Sequence, residues 1–155
     1  MTDQGRLILS AEALRIPRAE HRALLEIREH FAAGTFHHDP RNDADRPDGF
    51  NMNGAEHESE CGTTCCIGGW VWRSMDRDRT TKSPTASRYV HHDCATALHP
   101  LYFPSFDDID DMAYDDITPG AALVAIDSFI ATGDPDWRGA CGLDTRVIEV
   151  RSYRD

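Results

Sequence analysis

Residues 118–133 read TPGAALVAIDSFIATG, and this stretch sets the fold class. Thr118 is a good N-cap, and Pro119 suits the first helical position, where its missing N–H costs nothing. Gly133 suits the left-handed residue that closes a helix. Between these signals Ala122, Leu123, Ile126, Phe129 and Ile130 recur at helical spacing and make one apolar face. A core-facing helix with both ends marked is expected here. The turn that follows, Asp134-Pro135-Asp136-Trp137, is expected to fold Trp137 back as a core plug.

Working outward, the same periodicity recurs three times. From about Thr85 to Leu98, Ala86, Val90, Cys94 and Ala97/Leu98 share a stripe, and Pro100 is expected to end that helix. From Thr63, a candidate cap, a second helix runs through Ile67 and Trp70 to about Met75. Gly68 and Gly69 inside it each cost about 1 kcal/mol of helix propensity relative to Ala. That cost points to another backbone or an aromatic ring lying very close. Pro17 opens a third helix to Ala33, with Gly34 beyond it and Leu24, Ile27 and Phe31 facing the core.

Between these helices, residues 35–60 carry Pro40, Pro47, Gly49 and Gly54 with scattered apolar residues, and read as a long loop pinned by Phe36, Phe50 and Met52. Arg6 to Ser10 and Val147 to Val150 read as short strands that would pair. The expected fold is mainly α. It is a compact bundle of about four helices with a long loop in the N-terminal half and a minor terminal two-stranded β pairing. The 155 residues form a single domain without internal repeats.

Composition narrows the function classes. The chain carries 16 Lys and Arg against 27 Asp and Glu, a net charge of −11. Nucleic acid and anionic membranes are repelled by such a surface, so neither is an expected direct partner. The imbalance is concentrated: residues 100–137 hold nine Asp and no Lys, Arg or His. Partners of that stretch are expected to be basic proteins. Asp107, Asp108, Asp110, Asp111, Asp115 and Asp116 are its candidate binding residues, against the plainer expectation of a solvating face. No signal-peptide pattern opens the chain and no apolar run approaches membrane length. With five cysteines at irregular spacing, Cys61, Cys65, Cys66, Cys94 and Cys141, a reducing, cytoplasmic setting is expected. Fifteen Arg to a single Lys, Lys82, suits a GC-rich bacterial or phage genome.

The segments CGTTCCIGGW (61–70), LHPLYFP (98–104) and DDITPGAALVAIDSFIATGDPDW (115–137) resemble a family of small bacteriophage and bacterial proteins without an established activity. In that family C-G-T-x-x-C-I-[AG]-G precedes an L-F-x-P-like segment and a T-P-x-x-A-x-x-A-I helix. The resemblance implies a phage or mobile-element origin and a fold built around residues 61–70. It implies no catalytic residue.

Three constellations bear chemistry. His57, Cys61 and Cys65 recur every four residues, and with His91 and His92 they offer the N and S ligands that a tetrahedral zinc takes. Neither cysteine pair has the C-x2-C spacing of a zinc knuckle. His37-His38-Asp39 adds ligand types in the long loop. No other cofactor is indicated. Cys61 or Cys65 near a helix start, with His57, His91 or His92 as base and Asp93 as orienter, sketches a thiol nucleophile, against the alternative of cysteines buried as small hydrophobes. The run from Asp107 to Asp116 lacks the Gly and Glu that a calcium loop needs. No phosphate-binding or nucleophile-elbow pattern is present.

The leading expectation is an acidic, non-enzymatic accessory protein that binds a basic protein partner, in its most specific form inhibiting a nucleic-acid-binding host or defence complex. The alternative is a zinc-binding or thiol-dependent enzyme using the Cys61–Cys66 cluster with His91 and His92.

Overall fold

The computed structural model of the chain describes residues 7–143. Its secondary structure is mainly helical. A short helix α1 (Ala11–Leu14) leads into α2 (Arg18–Ala32), and Gly34 adopts a left-handed conformation (φ 76°) just beyond its end. The expected stripe of α2 is in place, with Leu24, Ile27 and Phe31 buried. Helix α6 (Pro119–Thr132) follows its sequence signals at both ends: the Thr118 hydroxyl accepts from the Ala121 amide, and Gly133 is left-handed at φ 88°. Trp137 opens α7 (Trp137–Ala140) and is buried, its indole N–H donating to the Pro100 carbonyl at 2.9 Å.

The stretch read as a loop holds a small sheet. Strands β1 (His37–His38), β2 (Gly49–Phe50), β3 (His57–Glu58) and β4 (Thr63–Cys65) lie in the order β1-β2-β4-β3. The first two pairings are parallel and the last antiparallel. Strands of two or three residues are too short to show alternation, and a polar centre holds them together. The buried Asp39 carboxylate accepts from the Thr64 hydroxyl at 2.6 Å and from the amides of Ala44 and Asp43 at 2.9 and 3.0 Å. Burial alone would raise this carboxyl, but those three donors outweigh it and hold Asp39 below the ordinary carboxylate range. Phe36, Phe50 and Met52 are buried, as expected of pins.

Two helix boundaries differ from expectation. Thr63 does not cap a helix. Residues 63–65 are strand, and α3 (Ile67–Asp78) begins after Cys66, whose Sγ accepts from the Gly69 amide at 3.3 Å. The fourth principal helix expected over Thr85–Leu98 is a broken series. It consists of α4 (Ala86–Arg88), a π turn over Tyr89–Asp93, a 3₁₀ turn over Thr96–Leu98, and α5 (His99–Tyr102). The break has a tertiary cause. Glu20 of α2 is buried, and its carboxylate accepts from the Tyr89 hydroxyl at 2.6 Å and from the Ala95 amide at 3.1 Å. An amide turned toward that carboxylate is not available to continue a helix. Pro100 therefore sits in the first turn of α5 rather than ending a helix. The stripe survives nonetheless: Ala86, Val90, Cys94 and Leu98 are all buried.

The two glycines of α3 meet close neighbours. A Cβ on Gly68 would lie 2.8 Å from Val90 Cγ2 and 3.0 Å from the Tyr102 ring, and one on Gly69 would collide with the Ala55 carbonyl. Helix α2 packs on both α3 and α6, and the core runs from Leu24 and Ile27 through Ile67 and Val71 to Ile126 and Phe129. Phe31 packs edge-on against Phe36 and Phe50 at 4.7 and 5.3 Å, and Phe36 stacks on Trp70 at 4.6 Å, so the sheet shares this core. Of the terminal β pairing, Val147–Val150 lies outside the described residues. Residues 7–10 form no strand, the Leu9 amide donating to the Ile130 carbonyl at 2.8 Å.

Candidate functional site

The cysteine and histidine candidates are dispersed over the fold. His57 stands exposed on β3 and Cys61 exposed in the turn that follows. Cys65 ends β4 fully buried, and His91 and His92 are exposed on the π turn. Among the described residues no group of three or more His, Cys, Asp or Glu side chains is gathered closely enough to hold a metal ion.

The buried thiols are poor nucleophiles. Burial pushes the Cys65 thiol up, the adjacent Cys66 adding to it, and burial raises Cys66 to about 11 and Cys94 to about 12. A reactive cysteine needs the reverse shift, because the thiolate is the attacking species. At neutral pH these three side chains behave as small hydrophobes. All five cysteines are free thiols.

The six acidic candidates occupy the connection between α5 and α6. Asp107, Asp108, Asp110, Asp111 and Asp116 are exposed, and Asp115 is half-buried. The connection is tethered rather than loose. Ile109 and Ile117 are fully buried, the Tyr114 hydroxyl donates to the Pro104 carbonyl, and a His38 ring nitrogen lies 2.8 Å from the Asp115 carbonyl. Asp110 and Asp111 both have positive φ, 54° and 60°, a conformation Asp tolerates better than most residues. Arg138 reaches the loop from α7, donating to the Asp107 carbonyl at 3.1 Å and pairing with the Asp110 carboxylate at 3.2 Å. Phe106 stands among these carboxylates 59% exposed, leaning on Tyr114 with ring centres 5.6 Å apart.

Two clefts that periodicity did not reveal open on the surface. The first, of about 620 Å³, lies between α2, α3 and the sheet. Its guanidinium groups are taken up by the cleft's own carboxylates: Arg77 pairs with Glu26, and Arg73 pairs with Glu56 and, at 3.3 Å, Glu58. Arg73 also lies over the Trp70 ring, 5.6 Å from its centre. Such a network joins elements far apart in sequence and is already satisfied. The second cleft, of about 650 Å³, lies where α5 and the acidic loop face the turn before α7. Its walls include Phe103 and Trp137, with Asp108, Asp134 and Asp136 around them. Trp137 was legible as a core plug, but nothing near it in sequence pointed to Phe103 across the cleft.

Comparison with protein-family models, with curated proteins and with solved structures finds no match to this chain. Among the described residues, no helix is long and apolar enough to cross a membrane.

Proposed function

We propose that this protein is an acidic accessory protein, of phage or mobile-element origin, that acts in the cytoplasm by binding a basic protein partner through the connection between α5 and α6. In its most specific form the partner is a nucleic-acid-binding host or defence complex, which the protein inhibits by covering the surface that would otherwise meet phosphate. The observation that carries this reading is the exposed Phe106 set among five exposed aspartates in a loop tethered by buried Ile109 and Ile117. Carboxylates supply long-range attraction and selectivity, and an exposed aromatic supplies contact area once the partner arrives. A tethered loop also loses little entropy on binding. The origin rests on the resemblance of residues 61–70, 98–104 and 115–137 alone.

The alternative of a thiol-dependent or zinc enzyme draws no support from the buried Cys65 and Cys66 or from the dispersed histidines. The test is association kinetics with captured partners at rising salt, for wild type and a variant with Asn at Asp107, Asp111, Asp115 and Asp116. Association should slow about tenfold or more in the variant and in high salt, with dissociation little changed. Recovery of the same proteins, at the same rates, by both chains would show that the acidic loop only solvates the surface.

A further inference from the structure

The second cleft has the chemistry to receive one particular side chain of a basic partner. We propose that it is a pocket for an arginine, whose guanidinium stacks on Phe103 and meets the carboxylates of Asp108, Asp134 and Asp136. This rests on the reading of the neighbouring acidic loop as a docking face, and names what that face grips.

The chain itself supplies the template. In the first cleft Arg73 lies over Trp70, 5.6 Å from the ring centre, with its guanidinium between Glu56 and Glu58. The second cleft repeats the wall and the carboxylates, and its own arginine, Arg138, is paired with Asp110. Phe103 is 37% exposed, and it is steadied by His91 and His99, whose rings lie 5.6 and 6.4 Å from its own. The facing wall is rigid as well, because the Trp137 indole is committed to the Pro100 carbonyl.

Charge selects the ligand. Asp134 accepts the Asp136 amide at 2.9 Å through Oδ1, and Asp136 accepts the Gly139 amide at 3.2 Å through its own Oδ1. Among the described residues no hydrogen bond is made to the second oxygen of either, nor to the Asp108 carboxylate. The fixed cation that lines the cleft, Arg138, turns its terminal nitrogens to the carbonyls of Asp107 and Leu143 and to Asp110. Three carboxylates around an aromatic wall repel phosphate and carboxylate ligands and attract a cation. A guanidinium answers better than an ammonium, because its plane stacks on the ring while its fork of N–H donors meets carboxylates side by side.

The experiment uses the full chain and two labelled peptides of equal charge, octa-arginine and octa-lysine, with affinities measured by fluorescence anisotropy. Wild type should bind octa-arginine about tenfold more tightly than octa-lysine, a difference on the scale of one desolvated cation–aromatic contact. Phe103→Ala keeps the charge and should erase that preference, bringing octa-arginine to the octa-lysine value. Asp108→Asn, at an exposed position, should weaken octa-arginine about threefold or more and serves as the second probe if Phe103→Ala is poorly folded. Equal affinity of wild type for both peptides, or an arginine preference that survives both substitutions, would overturn the pocket. If the four-Asn loop variant then lost affinity for both peptides alike, the acidic docking face would stand without it. If wild type bound neither peptide, both readings would fall together.

Discussion

One α-hydrogen of Gly69, the one a side chain would replace, faces the carbonyl of Ala55, leaving no space for a side chain between helix α3 and the segment that leads into β3. The obstacle is backbone on both sides, so neither partner can rotate away. Gly69→Ala should therefore cost about 2–3 kcal/mol, against the roughly 1 kcal/mol gain expected of the same change in an unhindered helix. Gly120, in the first turn of α6, is the internal control, because a Cβ there would meet nothing nearer than the Thr118 hydroxyl at 3.8 Å. Gly120→Ala should be neutral or slightly stabilising. Urea melts of the two variants decide the matter, and equal midpoints would contradict the close approach.

Arg28 and Asp127 join α2 to α6 by a forked pair, Nε to Oδ1 at 2.8 Å and Nη2 to Oδ2 at 3.3 Å. The Arg28 side chain is only 8% exposed, so this pair is screened far less than a surface one. Asp127→Ala should cost about 1–3 kcal/mol by leaving a largely buried guanidinium short of acceptors. Replacing both residues by Leu should recover much of that loss, since a buried pair and apolar packing are of similar worth. A double-mutant cycle in guanidinium chloride measures the coupling. A cost equal to that of an exposed Asp, such as Asp111, would show the pair to be incidental.

Asp39 should make the sheet acid-sensitive. Its carboxyl sits below its ordinary range in the folded chain, so its contribution is fully present above about pH 4, the unfolded value, and is lost as pH falls through the folded one. Asp39→Asn should cost about 2–3 kcal/mol at pH 7 and flatten the stability profile between pH 5 and about pH 3. A profile parallel to wild type would place the acid sensitivity elsewhere.

Cys66 acts in the opposite direction. Burial raises its thiol from 9.0 to about 11 on folding, so its contribution is complete below about pH 9 and is lost as pH climbs toward 11. At up to about 1.4 kcal/mol per pH unit this amounts to roughly 2–3 kcal/mol, which Cys66→Ala should remove from the alkaline limb. Thiol labelling at pH 8 offers a second reading: Cys61 should react at once, and Cys65, Cys66 and Cys94 only at the rate of global unfolding. Immediate labelling of all five would refute their burial.

Local chemistry carried much of the architecture. The caps at Thr118 and Gly133, the stripes of α2 and α6, and the demand of Gly68-Gly69 for a close neighbour all follow from residues within one or two turns of each other. Such features depend on hydrogen bonds and spacings that a short peptide already contains. The strands of residues 35–65 depend instead on Asp39 meeting Thr64, twenty-five residues away, and the break in the expected Thr85–Leu98 helix depends on Glu20 meeting Ala95, seventy-five residues away. The acidic composition of residues 100–137 was plain in the sequence, whereas the convergence of Phe103, Asp108 and Asp134 on one cleft was not. Side-chain period and capping are properties of neighbours along the chain. Buried polar partnerships and cleft walls arise only when distant segments share a core, and there the tertiary structure alone decided.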